Sequence, residues 1–462
     1  METQVVNDML NLSEPILFDN SIESYDFNEY VPSITTNFNI VPQTIQIDVQ
    51  ATDSYYRPSH SYIYIEGKLV KNDDTRYAVN DQVSFINNGI MYLFSSIEYS
   101  AGGKVMETLN NPGQTTSMLG YLSYPDDFNS SYGLSQCWNK DTTVHANSNK
   151  YTASQAVAAG AAINANYFTP QENPQYNQGF ASRRKYILSG DNNTRGNFSF
   201  VIPFSHIFGF SEYDKVLYNI KHTLKFTRAS DNLAIHRSGN ADPGKIVLTH
   251  IAWRLPCIDP SVETKAQLMQ MIKNKKSYPI HFGGRSDQHN SVPQGCQTFD
   301  WRLSVTSGIE KPRWILVGFQ TDKNQEDQTQ NPAVFDHINL DRAYVQLNSE
   351  RFPKSDIGIN FASNQYSILY KMTDDFKREY FGMNSLVGGS QINLATYKCL
   401  YPILVFDVRN QSEKLRSGVI DIVLKFYFKE IVPANTHAFA VIISDRVFKL
   451  DSDGLNMKMV SY

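Results

Sequence analysis

The residues able to do chemistry are present in this chain, but they are not spaced for it. None of the ten histidines pairs with another His, Cys or carboxylate at metal-ligand spacing. The sequence has no H-E-x-x-H, no Cys/His zinc pattern, no G-x-S-x-G nucleophile turn and no phosphate-binding P-loop. Cys137, Cys257, Cys296 and Cys399 lie far apart without a C-x-x-C pair, which points to small buried side chains in a reducing compartment and not to a disulfide framework. Asp451-Ser452-Asp453-Gly454 opens like a calcium loop but lacks the later glutamate, so an Asp-rich turn is the better reading. Arg183-Arg184-Lys185 is the densest basic cluster and Lys273–Lys276 the next; such short runs are usually solvated faces, with anionic contact as the alternative. Tyr62 and Tyr64 share one strand face, as a sugar-binding platform would, although sheet packing accounts for the same period. Sequons stand at Asn11, Asn129, Asn192 and Asn197, and carry weight only in an exported protein. On these grounds we expect no catalytic residues, no metal ligands and no cofactor.

The elements that would have to position any site read as strands. Thr44–Gln50 alternates polar and apolar residues strictly, and Ser61–Gly67 repeats the pattern and stops at glycine. Met91–Tyr99, Asn197–Ile202, Thr223–Arg228 and Ile246–Trp253 continue the series. Short strands divided by Gly, Asn, Asp and Pro turns mark an antiparallel all-β design. Residues 110–196 change texture, rich in Gly, Asn, Ser and Gln, with only the Ala-rich Ala153–Phe168 helical in pattern; they predict an elaborated loop projecting from the sheet. After Pro256 a helix is expected, capped by Asp259, opened by Pro260 and carrying Val262, Ala266, Met269 and Ile272 on one side, with lysines at its end. Beyond it come Trp314–Val317, Ala343–Leu347, a short helix at Asp374–Phe381, then Tyr401–Val408, Val419–Phe428 and Ala438–Leu450. Val419–Leu424, interrupted only by Asp421, places apolar residues on both faces, as in a strand covered on both sides. Thr223-Leu224-Lys225-Phe226 nearly repeats within Ile422-Val423-Leu424-Lys425-Phe426, and two similar sandwiches in tandem would explain it.

Bulk properties agree. A chain of 462 residues, 41% hydrophobic and 19% charged, is long enough for more than one core. Twenty-seven Tyr and 27 Phe favour strands and interfaces. The formal charge is only −4, and no Lys or Arg precedes Arg57 although nine carboxylates do. Such an acidic start cannot neutralise phosphates, which argues against a nucleic-acid-packaging arm and against sequence-specific nucleic-acid binding. It also lacks the features of a secretory signal, and no apolar run reaches the length of a transmembrane span, so a protein made without export is expected. The expected organisation is an acidic N-terminal arm over residues 1–40, a first sandwich over 41–258 with its insertion near 110–196, a helical linker over 259–276 and a second sandwich over 277–462.

Val83–Tyr99, with its Asn87-Asn88, Leu93-Phe94 and Ile97-Glu98-Tyr99, followed by the turn Ala101-Gly102-Gly103-Lys104, resembles the first jelly roll of capsid-like proteins from Polinton/Maverick elements. Asn111-Pro112-Gly113, Ser117-Met118-Leu119, Phe200–Phe210, Asp214–Tyr218, His222–Arg228 and Ile251–Pro256 extend the likeness in order across most of residues 45–275. The second half is similar by pattern, chiefly at Tyr401–Asp407 and the closing strands, and the family varies most where this chain has residues 125–180. The resemblance, to the lineage of virophage and adenovirus-hexon-like double jelly-roll major capsid proteins, implies two eight-stranded jelly rolls in one chain. It implies a non-enzymatic virion protein that forms homotrimers of pseudo-hexagonal outline, then neighbouring capsomers, with penton or minor capsid proteins as further partners. A tandem β-sandwich binding carbohydrate or another ligand is the alternative, and a cupin-type oxygenase or a glycosidase comes third.

Overall fold

The computed structural model describes residues 19–32, 37–151, 172–274, 277–304, 311–383, 391–411, 420–452 and 457–461. Sixteen of its strands fall into two sets of eight. The first set is β1 (Ile22–Tyr30), β2 (Thr44–Val49), β3 (Tyr62–Lys71), β4 (Phe94–Ala101), β5 (Lys104–Leu109), β6 (Asn197–Pro203), β7 (His222–Arg228) and β8 (Gly244–Pro260). The second is β9 (Ser277–Val292), β10 (Thr298–Leu303), β11 (Lys311–Thr321), β12 (Leu340–Leu347), β13 (Glu350–Phe352), β14 (Leu404–Asp407), β15 (Ile422–Phe428) and β16 (Thr436–Ser452).

In the first half β1, β8, β3 and β6 lie side by side in one sheet and β2, β7, β4 and β5 in the other. In the second half the orders are β9, β16, β11, β14 and β10, β15, β12, β13. Each strand therefore has a counterpart eight places later, and the order is that of a jelly roll in both halves. Short strands elaborate the first half: Tyr55–Tyr56 and Leu217–Tyr218 join its larger sheet, while Val83–Phe85 pairs with Ile235–Arg237.

The near-repeat seen in the sequence sits at matching places. Leu224 lies opposite Ile47 and Tyr99, Leu424 opposite Trp301 and Val345. Phe226 and Phe426 follow two residues on, facing the two interiors. Lys225 and Lys425 point the other way, to Glu98 at 3.1 Å and Asp300 at 2.8 Å. Alternation explains this, since successive strand side chains take opposite faces.

Between the fifth and sixth strands of each half the chain forms helices: α1 (Pro112–Ser123) and α2 (Gln178–Leu188) in the first, α4 (Ser367–Phe381) and α5 (Leu394–Cys399) in the second. Helix α3 (Val262–Lys273) follows β8. The hydrophobic cores are shared across the halves. Met118, Leu119, Tyr121 and Leu122 of α1, with Trp138, pack into the second core, whereas Ile280, Phe282 and Leu450 of the second half pack into the first.

Several expectations change. Residues 22–30, read as part of an arm, form β1. The 110–196 region does not simply project as a loop, because α1 is buried along nearly its whole length. The helical pattern at 153–168 lies outside the described residues. Strand β3 does not stop at Gly67 but runs on to Lys71; a Cβ at Gly67 would sit 2.7 Å from the Phe198 ring, so the glycine admits a neighbour. Met91–Leu93 belongs to a 3-10 turn ahead of β4. Asp259 and Pro260 end β8, and Ser261 caps α3 instead, its hydroxyl accepting from the Thr264 N–H. Val262 is 84% exposed, and only Ile272 of that helix is buried. Helix α4 starts seven residues before the expected Asp374, at Ser367. β15 alternates buried and half-buried residues instead of being covered on both faces; β11 and β16 are the strands buried on both sides over long runs.

Candidate functional site

The most heavily built place in the molecule is the seam between the two halves. Glu107, within β5, has its carboxylate fully buried, and it accepts from the N–H groups of Gly209 (3.1 Å), Phe210 (2.6 Å) and, across the seam, Arg285 (2.7 Å) of β9. Burial pushes its carboxyl upward, while Arg446, Arg285 and the N–H donors pull the other way. Glu212 accepts from the Gly283 N–H at 2.7 Å and from the Tyr380 hydroxyl at 2.6 Å. The outer edge of β9, which would otherwise expose unpaired N–H groups, is thus closed by first-half carboxylates. Close approach is built in: a Cβ on Gly209 would stand 1.9 Å from the Gly283 carbonyl oxygen.

Asp287 of β9 works in the opposite direction. It accepts from the backbone N–H of Asn110 and Asn111, both at 2.7 Å, and from the Asn111 side chain at 2.8 Å, just ahead of Pro112 at the start of α1. Asn111 makes no side-chain cap of its own, and the carboxylate from the other half binds the N–H groups just ahead of the helix, at its positive end. Arg285 donates to the carbonyls of Ser205 and His206, and Arg446 to that of Met106.

A second cluster lies deeper. Asp141, fully buried, pairs with Arg183 at 2.6 Å and accepts from Asn177 and from Asn331 of the second half, both at 2.9 Å. Tyr401 donates to the Asp141 carbonyl at 2.8 Å, Tyr92 to Pro332 at 2.8 Å and Tyr121 to Ala333 at 2.9 Å. Such groups are buried only because they are partnered.

These arrangements tie the two halves together. His206, between the Tyr124 hydroxyl (2.7 Å) and Asn88 Oδ1 (3.0 Å), is drawn down to about 3 by burial and then by Arg285. His222 is drawn to about 3 and His236 to about 4, again by burial first. Burial raises the Cys137 thiol to about 11, away from thiolate chemistry. Ser59, His60 and Asp214 do meet, beside a cavity of about 660 Å³ that also has Tyr62 and Tyr132 on its wall. In a nucleophilic triad the imidazole stands between hydroxyl and carboxylate. Here the Ser59 hydroxyl donates directly to Asp214 at 2.6 Å, and Arg57 grips the same carboxylate at 2.8 and 2.6 Å, holding it well below the usual range. Among the described residues no group of three or more His, Cys, Asp or Glu side chains is placed to hold a metal ion.

Against this geometry the family model for a double jelly roll-like domain matches residues 154–448, more than half of the chain. The chain belongs to the double jelly roll-like domain family. Among solved structures, this double jelly-roll protein matches a chain of the Sputnik virophage with a TM-score of 0.56 at 10% identity, covering 99% of this chain and 92% of that one. It matches the mavirus major capsid protein with a TM-score of 0.52 at 9% identity, over 94% and 90% of the two chains. The Faustovirus major capsid protein gives 0.52 at 9% identity, over 98% and 93%. No curated protein matches the chain by sequence. At such identities the likeness is one of fold.

The residues singled out by type take ordinary places in the double jelly roll. Arg183, first of the basic cluster, is buried in its pair with Asp141, and Arg184 donates to the Asp81 carbonyl at 2.6 Å; Lys185 alone is exposed. Tyr62 packs on Phe27, ring centres 5.5 Å apart, and Tyr64 gives its hydroxyl to Glu66. Asp451 and Ser452 end β16, and the rest of that calcium-like stretch lies outside the described residues. No helix among the described residues is long and apolar enough to cross a membrane. Sequence reasoning missed Glu107, Asp287 and Asp141, because lone carboxylates within polar stretches carry no pattern of their own.

Proposed function

We propose that this protein is a major capsid protein, a structural building block and not an enzyme, whose self-association makes an icosahedral shell. One observation carries the reading: the chain repeats the same eight-strand order in both halves, and the seam between them is crossed by buried carboxylates. Two rigid, similar blocks in a fixed relation suit a tile of pseudo-hexagonal outline when three copies meet. The mavirus and Faustovirus proteins, themselves major capsid proteins, share that fold. On this reading the units are a first jelly roll that includes β1, the α3 link and a second jelly roll from Ser277 onward. The virion is its location, a homotrimer its first assembly, and penton or minor capsid proteins its later partners.

Light scattering and negative-stain microscopy of the purified protein test this. Stable trimers, or shells tens of nanometres across, are the expected result. A protein that stays monomeric at all concentrations and binds members of a glycan array would overturn it in favour of a tandem sugar-binding protein.

A further inference from the structure

Among the described residues three arginines are deeply buried, with 2% of Arg183, 1% of Arg228 and 5% of Arg285 exposed. Two of them sit against a carboxylate, Arg183 against Asp141 at 2.6 Å and Arg228 against Asp231. Arg285 does not. Its Nη1 donates to the Ser205 and His206 carbonyls at 3.2 and 3.1 Å, and its buried Nε has no hydrogen-bond partner. The Glu107 carboxylate spends its oxygens on N–H groups, the Arg285 backbone N–H among them, and among the described residues the guanidinium forms no ion pair. A buried charge left in this way is costly unless something completes it. Arg285 also lines a cavity of about 520 Å³. The cavity wall comes from both halves: Leu119 and Ser123 of α1, the Ser211–Glu212 turn, and Phe381 of α4 beside Arg285 itself.

We propose that this cavity binds a small organic monocarboxylate, its carboxylate on the Nε–Nη2 edge of Arg285 and its body against Leu119 and Phe381. With Nη1 spent on the two carbonyls, that edge offers two parallel donors in one plane, which is the match for a carboxylate. Glu212 limits the charge of the ligand. It stands on the same wall, its oxygens taken by the Gly283 N–H at 2.7 Å and the Tyr380 hydroxyl at 2.6 Å, and it would repel a phosphate or a second carboxylate. His206, also on the wall, adds no positive charge, since burial and then Arg285 hold its ring neutral. A bare halide would leave most of the volume and both apolar side chains unused. A ligand seated here touches both halves, so its binding holds them in one relation and stabilises the folded chain by mass action.

The inference goes beyond the shell-building reading and stands apart from it, because a single chain holds the whole site. Isothermal titration calorimetry of the full chain with sodium benzoate tests it, with neutral benzamide, sodium chloride and sodium phosphate as comparisons. Benzoate should bind saturably, one per chain, and raise the thermal midpoint; benzamide should not bind, and neither salt should displace benzoate. Arg285→Gln should weaken benzoate by roughly ten- to a hundredfold, the loss of a charge-assisted pair of hydrogen bonds. Ser123→Phe fills the cavity while leaving every bond of Arg285 in place, so it decides the matter if Arg285→Gln does not fold. It should abolish binding and keep the near-ultraviolet circular dichroism of the folded chain. Absence of saturable benzoate binding, equal binding of benzamide, or full binding in a folded Ser123→Phe variant would overturn the inference. Displacement by phosphate or chloride would overturn it too, by making the site one for inorganic anions.

Discussion

Removing the Glu107 side chain strands three buried N–H groups at once, two of the first half and one of the second. Loss of a buried acceptor costs on the order of 1–3 kcal/mol for each stranded group. Glu107→Ala should therefore lower unfolding free energy by about 3–5 kcal/mol in a urea titration, and an effect below about 1 kcal/mol would mean that water replaces the carboxylate. The histidines give a pH dependence with a definite sign. His206, His222 and His236 are drawn by burial to about 3, 3 and 4. Their stabilising contribution is complete above the ordinary histidine value near 6.5 and is lost as pH falls toward those folded values, by up to about 1.4 kcal/mol per histidine per pH unit. Glu107 and Asp287, raised by burial, act oppositely: their contribution is present at low pH and lost as pH rises through their folded values. A urea midpoint that falls between pH 6.5 and 4.5, with a shallower fall in His222→Phe, is the expected outcome. None of this was visible in the sequence, where a lone histidine or glutamate looks the same buried or exposed.

Elements were legible wherever one face is wet. β2 and β3 alternate, and their strand reading needed nothing else. β1 escaped because it is exposed on both faces and so has no period. β9 escaped because Pro279, Gly283 and Gly284 interrupt it and its later residues are polar; its strand form comes from sixteen residues of pairing with β16. Helix α1 was hidden by its composition. Its small residues are there for contact: a Cβ at Gly113 would meet the Tyr92 ring at 2.6 Å, and one at Gly120 the Trp138 ring at 2.3 Å. Gly120→Ala should thus cost about 1–3 kcal/mol through overpacking, although alanine is the better helix former by about 1 kcal/mol. A thermal midpoint that rises in this variant would show that the ring can move aside. Asp287→Ala, which uncovers the N–H groups ahead of α1, should lower stability by about 1–2 kcal/mol in the same assay.

The whole molecule should melt as one body. Each core includes side chains from the other half, and the seam is crossed by carboxylates that cannot be left unpartnered cheaply. Calorimetry of the monomeric chain should show a single transition whose calorimetric and van't Hoff enthalpies agree; two resolved transitions would mean that the seam couples the halves less than its bonds imply. The tandem design itself was legible, through the Thr-Leu-Lys-Phe near-repeat and the family-like segments. The seam was not, since its partners stand from 71 to 340 positions apart in the chain.

β8 lies between β3 and β1, yet it is the last strand of its half to be made. At roughly 5–20 residues per second, a ribosome needs on the order of 10–50 s to go from Tyr30 to Pro260, and for that time β1 has no partner and the first sheet has a gap at its centre. The nascent chain must keep Tyr25, Phe27, Ile63 and Ile65 from other chains throughout. Every copy thus passes through a long sticky infancy, crowded beside its siblings on the same message, and slower translation would be expected to raise the share lost to aggregates before any shell is begun.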